Sequence, residues 1–316
     1  MGMRRTKRIS KRSVFTRECI RLIRKLPIIP HGEFVVLAKK AMTHPSRWQA
    51  PDGYGCIKYQ VEKASIELLQ KAGRKHKHVI LQLHGGAYIA GMMDLYRDLA
   101  VQYSKMAMDA DVATLDYRVA PKYKHPAALI DALLAWEFLI KMGYHEENII
   151  VAGDSAGGNL ALALVTMLRD QNRKLPAGIF VMSPWADLAE TGESVERNLY
   201  KDPIFGKVPG EKRKMGEHLV DCSYAGKANL KDAYLSPVYA DYHGFPPMLL
   251  QTGTYEILES DSERIYYSAK QAGVQVQLTK YRGMFHVFQL GYRILPEAKL
   301  AWREAAQFFD EVWSER

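Results

Sequence analysis

The segment VAGDSAGGNLALALV, residues 151–165, sets one serine between glycines and runs at once into an apolar, helix-like stretch. Gly153-Asp154-Ser155-Ala156-Gly157 has the form G-x-S-x-G, which arises by chance often enough to need support from its surroundings. The apolar run NIIVAG (148–153) precedes it and a helical pattern follows. That strand-turn-helix setting lifts a serine out of a sharp turn as a nucleophile. Flanking side chains would collide in so tight a turn, which accounts for the glycines, and the next N–H, that of Ala156, would face the oxygen of a reacting carbonyl. A phosphate-cradling glycine loop is the competing reading, but the P-loop lysine is missing.

A serine hydroxyl needs a base for its proton and an acid to orient that base. Among ten histidines, His286 in RGMFHVF (282–288) is the candidate base, because it follows the last strand-like run. The acid belongs between the two, just past a strand end, where LLQTGTYEILESDSERI (249–265) offers Glu256, Glu259 and Asp261. Glu256, 30 residues before His286, is the first candidate and Asp261 the second. Each could instead be a carboxylate favoured at a helix N-terminus. A tetrahedral intermediate also needs donors for its oxyanion. LHGGAY (83–88) follows the strand-like VILQL (79–83), with Gly85 and Gly86 as expected donors and Ala156 as a third. His84 is expected to bond within that loop. Tyr88, beside it, and Tyr200 and Phe205 further along are candidates for lining a substrate pocket or for ordinary packing. His76 and His78 could share a strand face, but two ligands are too few for a metal site.

These residues need a scaffold. VILQL (79–83), VATLDY (112–117), NIIVAG (148–153), GIFVMS (178–183), MLLQTG (248–253) and VQLTKY (276–281) are short apolar runs. Helix-length segments such as AALIDALLAWEFLIKM (127–142) and NLALALVTMLRDQ (159–171) lie between most of them. Strands alternating with helices predict a mostly parallel sheet with helices on both faces. Earlier, CIKYQVE (56–62) alternates Ile57, Tyr59 and Val61 as a half-buried strand would. The interval from Ser183 to Met248 is too long for one crossover and carries the charged GEKRKMGEH (210–218), which predicts an insertion over the strand ends. The expected division is a basic helical arm and cap part at 1–45, a catalytic body at 46–185 and 233–316, and a cap insertion at 186–232.

With 316 residues, 47% hydrophobic and 25% charged, the chain can bury the core of a large α/β domain and is not disordered. The net charge of +9 is local: residues 1–26 hold ten Lys or Arg against Glu18 alone, and the remainder is balanced. In that arm Phe15, Cys19, Leu22 and Leu26 recur at helical spacing, on a face opposite the arginines. The first reading is a solvated helix packed on the body as part of a lid, and the second a weak contact with a membrane surface. No nucleic acid partner is expected. Charges interleaved with apolar residues do not make a signal peptide, and no run approaches about 18 apolar residues, so no transmembrane helix is expected. Cys19, Cys56 and Cys222, without CxxC spacing, argue against disulfides or a cysteine zinc site and for a reduced, cytoplasmic setting.

Taken together, these motifs resemble the hormone-sensitive-lipase-like carboxylesterases, the family IV group of α/β-hydrolases, over residues 75 to 310 or so. HGGAY is similar to the family's HGGG loop, and GDSAGG matches its elbow including Asp154 and Gly158. YRVAPKYKHPAALIDA (117–132), SPWADL (183–188) and YLSPVYAD (234–241) resemble further family blocks. The resemblance implies an α/β-hydrolase fold with a helical cap. It implies a serine esterase cleaving short- to medium-chain acyl esters through an acyl-enzyme, with Ser155 as nucleophile and His286 as base. Gly85, Gly86 and Ala156 would be the oxyanion donors. It also implies a small ester as the molecule bound, no metal or organic cofactor, and room for a homodimer through edge strands. Ala87 departs from the usual third glycine, Glu256 stands where many members have Asp, and residues 1–45 match poorly. An amidase or deacetylase with the same triad, or a noncatalytic ligand-binding homologue, are the alternatives.

Overall fold

Parallel strands buried on both faces read as apolar runs whose successive side chains enter opposite layers, and the central strands follow this rule. In β4 (Val79–Leu83), Val79, Leu81 and Leu83 join one core cluster and Ile80 the other. In β6 (Ile149–Asp154), Ile149 and Val151 face the first cluster, Ile150 and Ala152 the second. In β7 (Gly178–Met182), Ile179 and Val181 oppose Phe180 and Met182. The computed structural model describes residues 2–25, 46–73, 77–207 and 222–314. Leu26, His76 and the GEKRKMGEH segment lie outside them.

The remaining strands are β1 (Met3–Arg5), β2 (Tyr54–Val61), β3 (Ala64–Lys71), β5 (Asp111–Asp116), β8 (Met248–Gly253) and β9 (Val276–Tyr281). They form one nine-stranded sheet in the order β1-β9-β8-β7-β6-β4-β5-β3-β2. Pairing is parallel except for β3, which runs antiparallel to both β2 and β5. α3 (Ala127–Lys141), α4 (Ala156–Asp170) and α5 (Glu259–Gln271) cover one face. α2 (Asp94–Met106) and α6 (Pro296–Ser314) cover the other. This is an α/β-hydrolase fold, and its parallel strands bring the ends of β4, β6, β7, β8 and β9 to one edge, where loops can meet.

Three features differ from the sequence expectation. β3 was not expected as a strand, because Ser65 and Glu67 interrupt its apolar pattern. Glu67 is buried, its charge met by Arg97 at 2.6 Å. In β2, Tyr59 and Val61 are covered as expected, but Ile57 is 50% exposed.

The arm differs most. Residues 3–5 are a strand, parallel to β9, with Thr6 N–H donating to the Lys280 carbonyl at 3.0 Å. The α1 helix (Lys11–Lys25) packs through the side opposite to the one its apolar residues favour. Ser13 and Arg17 are buried, and Ile20 packs on a third cluster around Met284 and Phe288. Phe15 is 71% and Leu22 61% exposed. The reason is a set of polar anchors on the body. Glu297 accepts from the Ser10 N–H and hydroxyl and from the Ser13 hydroxyl, and the Gly283 carbonyl accepts from Arg17. Those specific bonds outweigh the burial of two side chains.

β1 also occupies the edge of β9 with exposed Arg4 and Arg5, so an edge-strand dimer through β9 would have to displace it. Short, charged edge strands are a common guard against such pairing. Deleting residues 2–6 should therefore raise self-association, seen by light scattering as a concentration-dependent increase in mass over the full chain; an unchanged mass would show that β1 guards nothing.

Candidate active site

Ser155 sits between β6 and α4 at φ 52°, ψ −121°, a conformation that costs a non-glycine residue about 1–3 kcal/mol. The neighbours that enforce it leave no room for side chains. A Cβ on Gly153 would lie 2.3 Å from the Gly157 carbonyl oxygen, and one on Gly157 would lie 2.0 Å from that of Leu83. Glycine is required at both positions by contact with backbone. The turn leaves Ser155 at the C-terminal edge of the sheet, its N–H donating to Met182 O at 3.0 Å.

His286 Nε2 lies 2.9 Å from Ser155 Oγ, and His286 Nδ1 lies 3.1 Å from Glu256 Oε2. Glu256 is fully buried, and its other oxygen accepts from the Ser183 hydroxyl at 2.8 Å, the Thr252 hydroxyl at 3.2 Å and the Gly253 N–H. An Nδ1–H donated to the carboxylate leaves Nε2 free to accept the serine proton. Ser183 Oγ also takes the Val287 N–H at 3.2 Å, so one hydroxyl steadies both the acid and the histidine loop. Phe205 packs edge-on against the imidazole with centroids 4.7 Å apart.

Asp261, the second candidate acid, is committed elsewhere. Its Oδ2 accepts the N–H groups of Ala186 and Asp187 at 2.9 and 3.0 Å. Burial, and then the charge of Asp187, push its carboxyl well above the usual range. Glu259 binds Arg197, Asn198 and Lys280.

The HGGAY loop divides differently from the expectation. Gly85 is buried, and its N–H donates to Asp154 Oδ1 at 3.2 Å, away from the expected role. A Cβ there would strike Asp154 Oδ2 at 2.3 Å. Gly86 (φ 116°) and Ala87 (φ 53°) are half-buried, and among the described residues neither N–H has an acceptor, nor has that of Ala156. Ala87 thus adopts the left-handed conformation of a third glycine at a cost of about 1–2 kcal/mol. His84 stacks on Tyr117 at 4.1 Å, with Nδ1 2.8 Å from the Gly85 carbonyl, a bond within the loop.

The proposed lining residues separate. Phe205 reaches the site; Tyr88 does not, being buried, stacked on Tyr224 at 4.0 Å and bonded to Asn159 at 2.8 Å. Tyr200 is 69% exposed. His78 stacks on Trp313.

Several supporting residues carry no sequence signature. Asp202 accepts from Ile204, Phe205 and Ile257 N–H at 2.7, 3.0 and 2.8 Å, tying the Phe205 segment to the acid loop. Asn198 donates to the Glu256 carbonyl at 2.8 Å. From α1, Arg17 donates to the Gly283 carbonyl at 3.0 Å and lies 4.4 Å from the Tyr255 ring centroid. One buried guanidinium therefore touches the loop of the histidine and the loop of the acid. Asp154, buried between Gly85 and the Tyr96 hydroxyl, has a carboxyl that burial pushes up to about 6, with the Tyr96 bond, the His286 charge and the Gly85 N–H opposing the shift.

Two outcomes follow from these contacts. Arg17→Ala should lower kcat roughly tenfold with KM little changed, because misplacement of the acid–base pair affects reaction more than binding. Arg17→Lys should recover part of the loss; equal kcat in all three proteins would remove Arg17 from the account. For Asp154, a folded pKa raised above the unfolded value means that its favourable contribution is complete below about pH 4. It is lost as pH rises to about 6, on the order of 3 kcal/mol in all. The urea stability of Asp154→Asn relative to wild type should rise over that interval and then level; a flat difference would contradict it.

Residues 80–290 match the alpha/beta hydrolase fold family. An esterase of Acinetobacter venetianus is 35% identical over 75% of this chain and 76% of that protein. An acetyl-hydrolase of Streptomyces hygroscopicus is 33% identical over 75% of this chain and 77% of its own length. Among solved structures, an esterase from the bacterial hormone-sensitive lipase family superposes with a TM-score of 0.83, at 31% identity, covering 97% of this chain and all of that one. With its folded core, its elbow and these relatives in agreement, the chain belongs to the hormone-sensitive-lipase-like carboxylesterases of the α/β-hydrolase fold.

Proposed function

We propose that Ser155, His286 and Glu256 are the catalytic triad of this carboxylesterase and that it cleaves short- to medium-chain acyl esters. The observation that carries the reading is the continuous hydrogen-bonded path from Ser155 Oγ through the imidazole to a buried carboxylate. Ser155 Oγ attacks the ester carbonyl while His286 Nε2 takes its proton, and Glu256 stabilises the imidazolium. Collapse of the tetrahedral intermediate expels the alcohol, which takes the proton from Nε2. Water then attacks the acyl-enzyme with the same base, and the acid leaves.

The oxyanion is bound by the N–H groups of Gly86, Ala87 and Ala156. This reading rests on the commitment of the Gly85 N–H to Asp154 and on the absence of acceptors for the other three among the described residues. Gly85 holds the loop in place. A small ester is the substrate class, and the acetyl-hydrolase and esterase relatives favour an ester over an amide. Phe205, against His286, narrows the entrance beside the base.

Hydrolysis of p-nitrophenyl esters of increasing acyl length tests the assignment. The wild type should prefer short chains, and Ser155→Ala should lose at least about 10⁴-fold in kcat. Glu256→Ala should lose about 10²–10⁴-fold, while Asp261→Asn, if folded, should stay within several-fold of wild type. Greater loss in Asp261→Asn than in Glu256→Ala would transfer the acid role; activity retained in Ser155→Ala would sink the whole reading.

A further inference from the structure

Helix α1 is inside out. An amphipathic helix on a soluble protein normally turns its apolar stripe to the core. Here Ser13, Arg17 and Ile20 face the body, while Phe15 and Leu22, two turns apart on one face, stand in solvent with the half-buried Cys19 between them. Along the same arm the charge is one-sided. Arg4, Arg5, Lys7, Arg8, Lys11 and Arg12 are all exposed, and among the described residues none forms an ion pair. The rest of the chain balances its charges. Two further exposed apolar side chains stand at or beside residues that the helix bonds to. Arg12 donates to the carbonyl of Ile294, which is 58% exposed, and Arg21 donates to the Lys201 carbonyl, next to the exposed Tyr200.

We propose that this face of the arm docks on an anionic lipid surface. Phe15, Leu22 and their apolar neighbours would enter the boundary between headgroups and acyl chains, and the unpaired cations would meet the lipid phosphates, the arrangement of an interfacial helix. A nucleic acid would satisfy the cations but give no reason for two large apolar side chains to face outward. The polar anchoring of the opposite face explains how the protein keeps them there. The surface adjoins the site: the segment that receives Arg21 continues to Phe205, which touches His286. Docking would therefore bring the catalytic entrance to a surface where apolar esters concentrate.

The test is flotation of the full chain with phosphatidylcholine vesicles containing or lacking about 30 mol% phosphatidylglycerol at about 0.1 M salt, alongside binding to duplex DNA. The protein should float with the anionic vesicles only. Lys11→Glu/Arg12→Glu and Phe15→Ser/Leu22→Ser should each weaken that binding roughly tenfold or more. Both variants should melt like wild type and hydrolyse a soluble ester normally. Flotation reads binding alone, so the outcome is separate from that of the esterase assignment. No binding to anionic vesicles overturns the proposal. So does Phe15→Ser/Leu22→Ser binding as tightly as wild type, since the arm is then a simple polycation. DNA binding tighter than vesicle binding moves the surface to nucleic acid, and a changed oligomeric state in Phe15→Ser/Leu22→Ser makes it an interface between copies; either result ends the lipid reading.

Discussion

The rest of the site depends on a close approach of backbone to backbone at Gly157, where the Leu83 carbonyl occupies the space a side chain would need. Because that contact is possible, the loop after β4 lies directly against the start of α4. Ser155 and the loop of Gly85, Gly86 and Ala87 are thereby held in direct contact. Asp154 completes the joint by accepting from the Gly85 N–H and the Tyr96 hydroxyl, so that the residue before the serine holds the loop opposite it. A buried carboxyl pushed up to about 6 is a cost the fold bears at this joint.

A second set of close contacts joins the loops that carry His286 and Glu256. Gly253 lies so close to Met284 that a Cβ would come within 2.3 Å of its carbonyl oxygen. Tyr255 N–H donates to that same carbonyl at 3.0 Å, and Gly283 N–H to the Thr254 hydroxyl at 2.8 Å. The loops after β8 and β9 are therefore bonded to each other, and Ser183, just past β7, links them to the sheet. Outside this core, Asp202 and Asn198 attach the segment that carries Phe205, and Arg17 attaches the arm. The arm, which lies outside the residues that match the family, is thus bonded to the loops that carry Glu256 and His286.

How much of this was legible follows from where each constraint acts. The elbow could be read because backbone crowding demands glycine whatever surrounds it. The doubly buried strands were clear as apolar runs, and the family motifs fixed the fold class. β3 was hidden because its buried Glu67 is paid for by Arg97, a partner remote in sequence. β1 was hidden because its pairing with β9 is made by main chain and needs no particular side chains. The assignment of Gly85 as a donor missed its bond to Asp154, which exists only once β4 and β6 lie side by side. Helical spacing in the arm correctly grouped Phe15 with Leu22 but could not say which way that face would look; Glu297 and the Gly283 carbonyl decided it.

In the proposed triad, Ser155 is activated by His286 and Glu256 acting together. The most direct measurement is the rate and site of phosphonylation by an alkyl fluorophosphonate, followed by mass spectrometry of the intact chain and its peptides. One adduct per chain is expected, on Ser155, formed far more slowly when Glu256 is replaced by alanine. An adduct on another residue, or a Ser155 adduct formed at the same rate in Glu256→Ala, would contradict it.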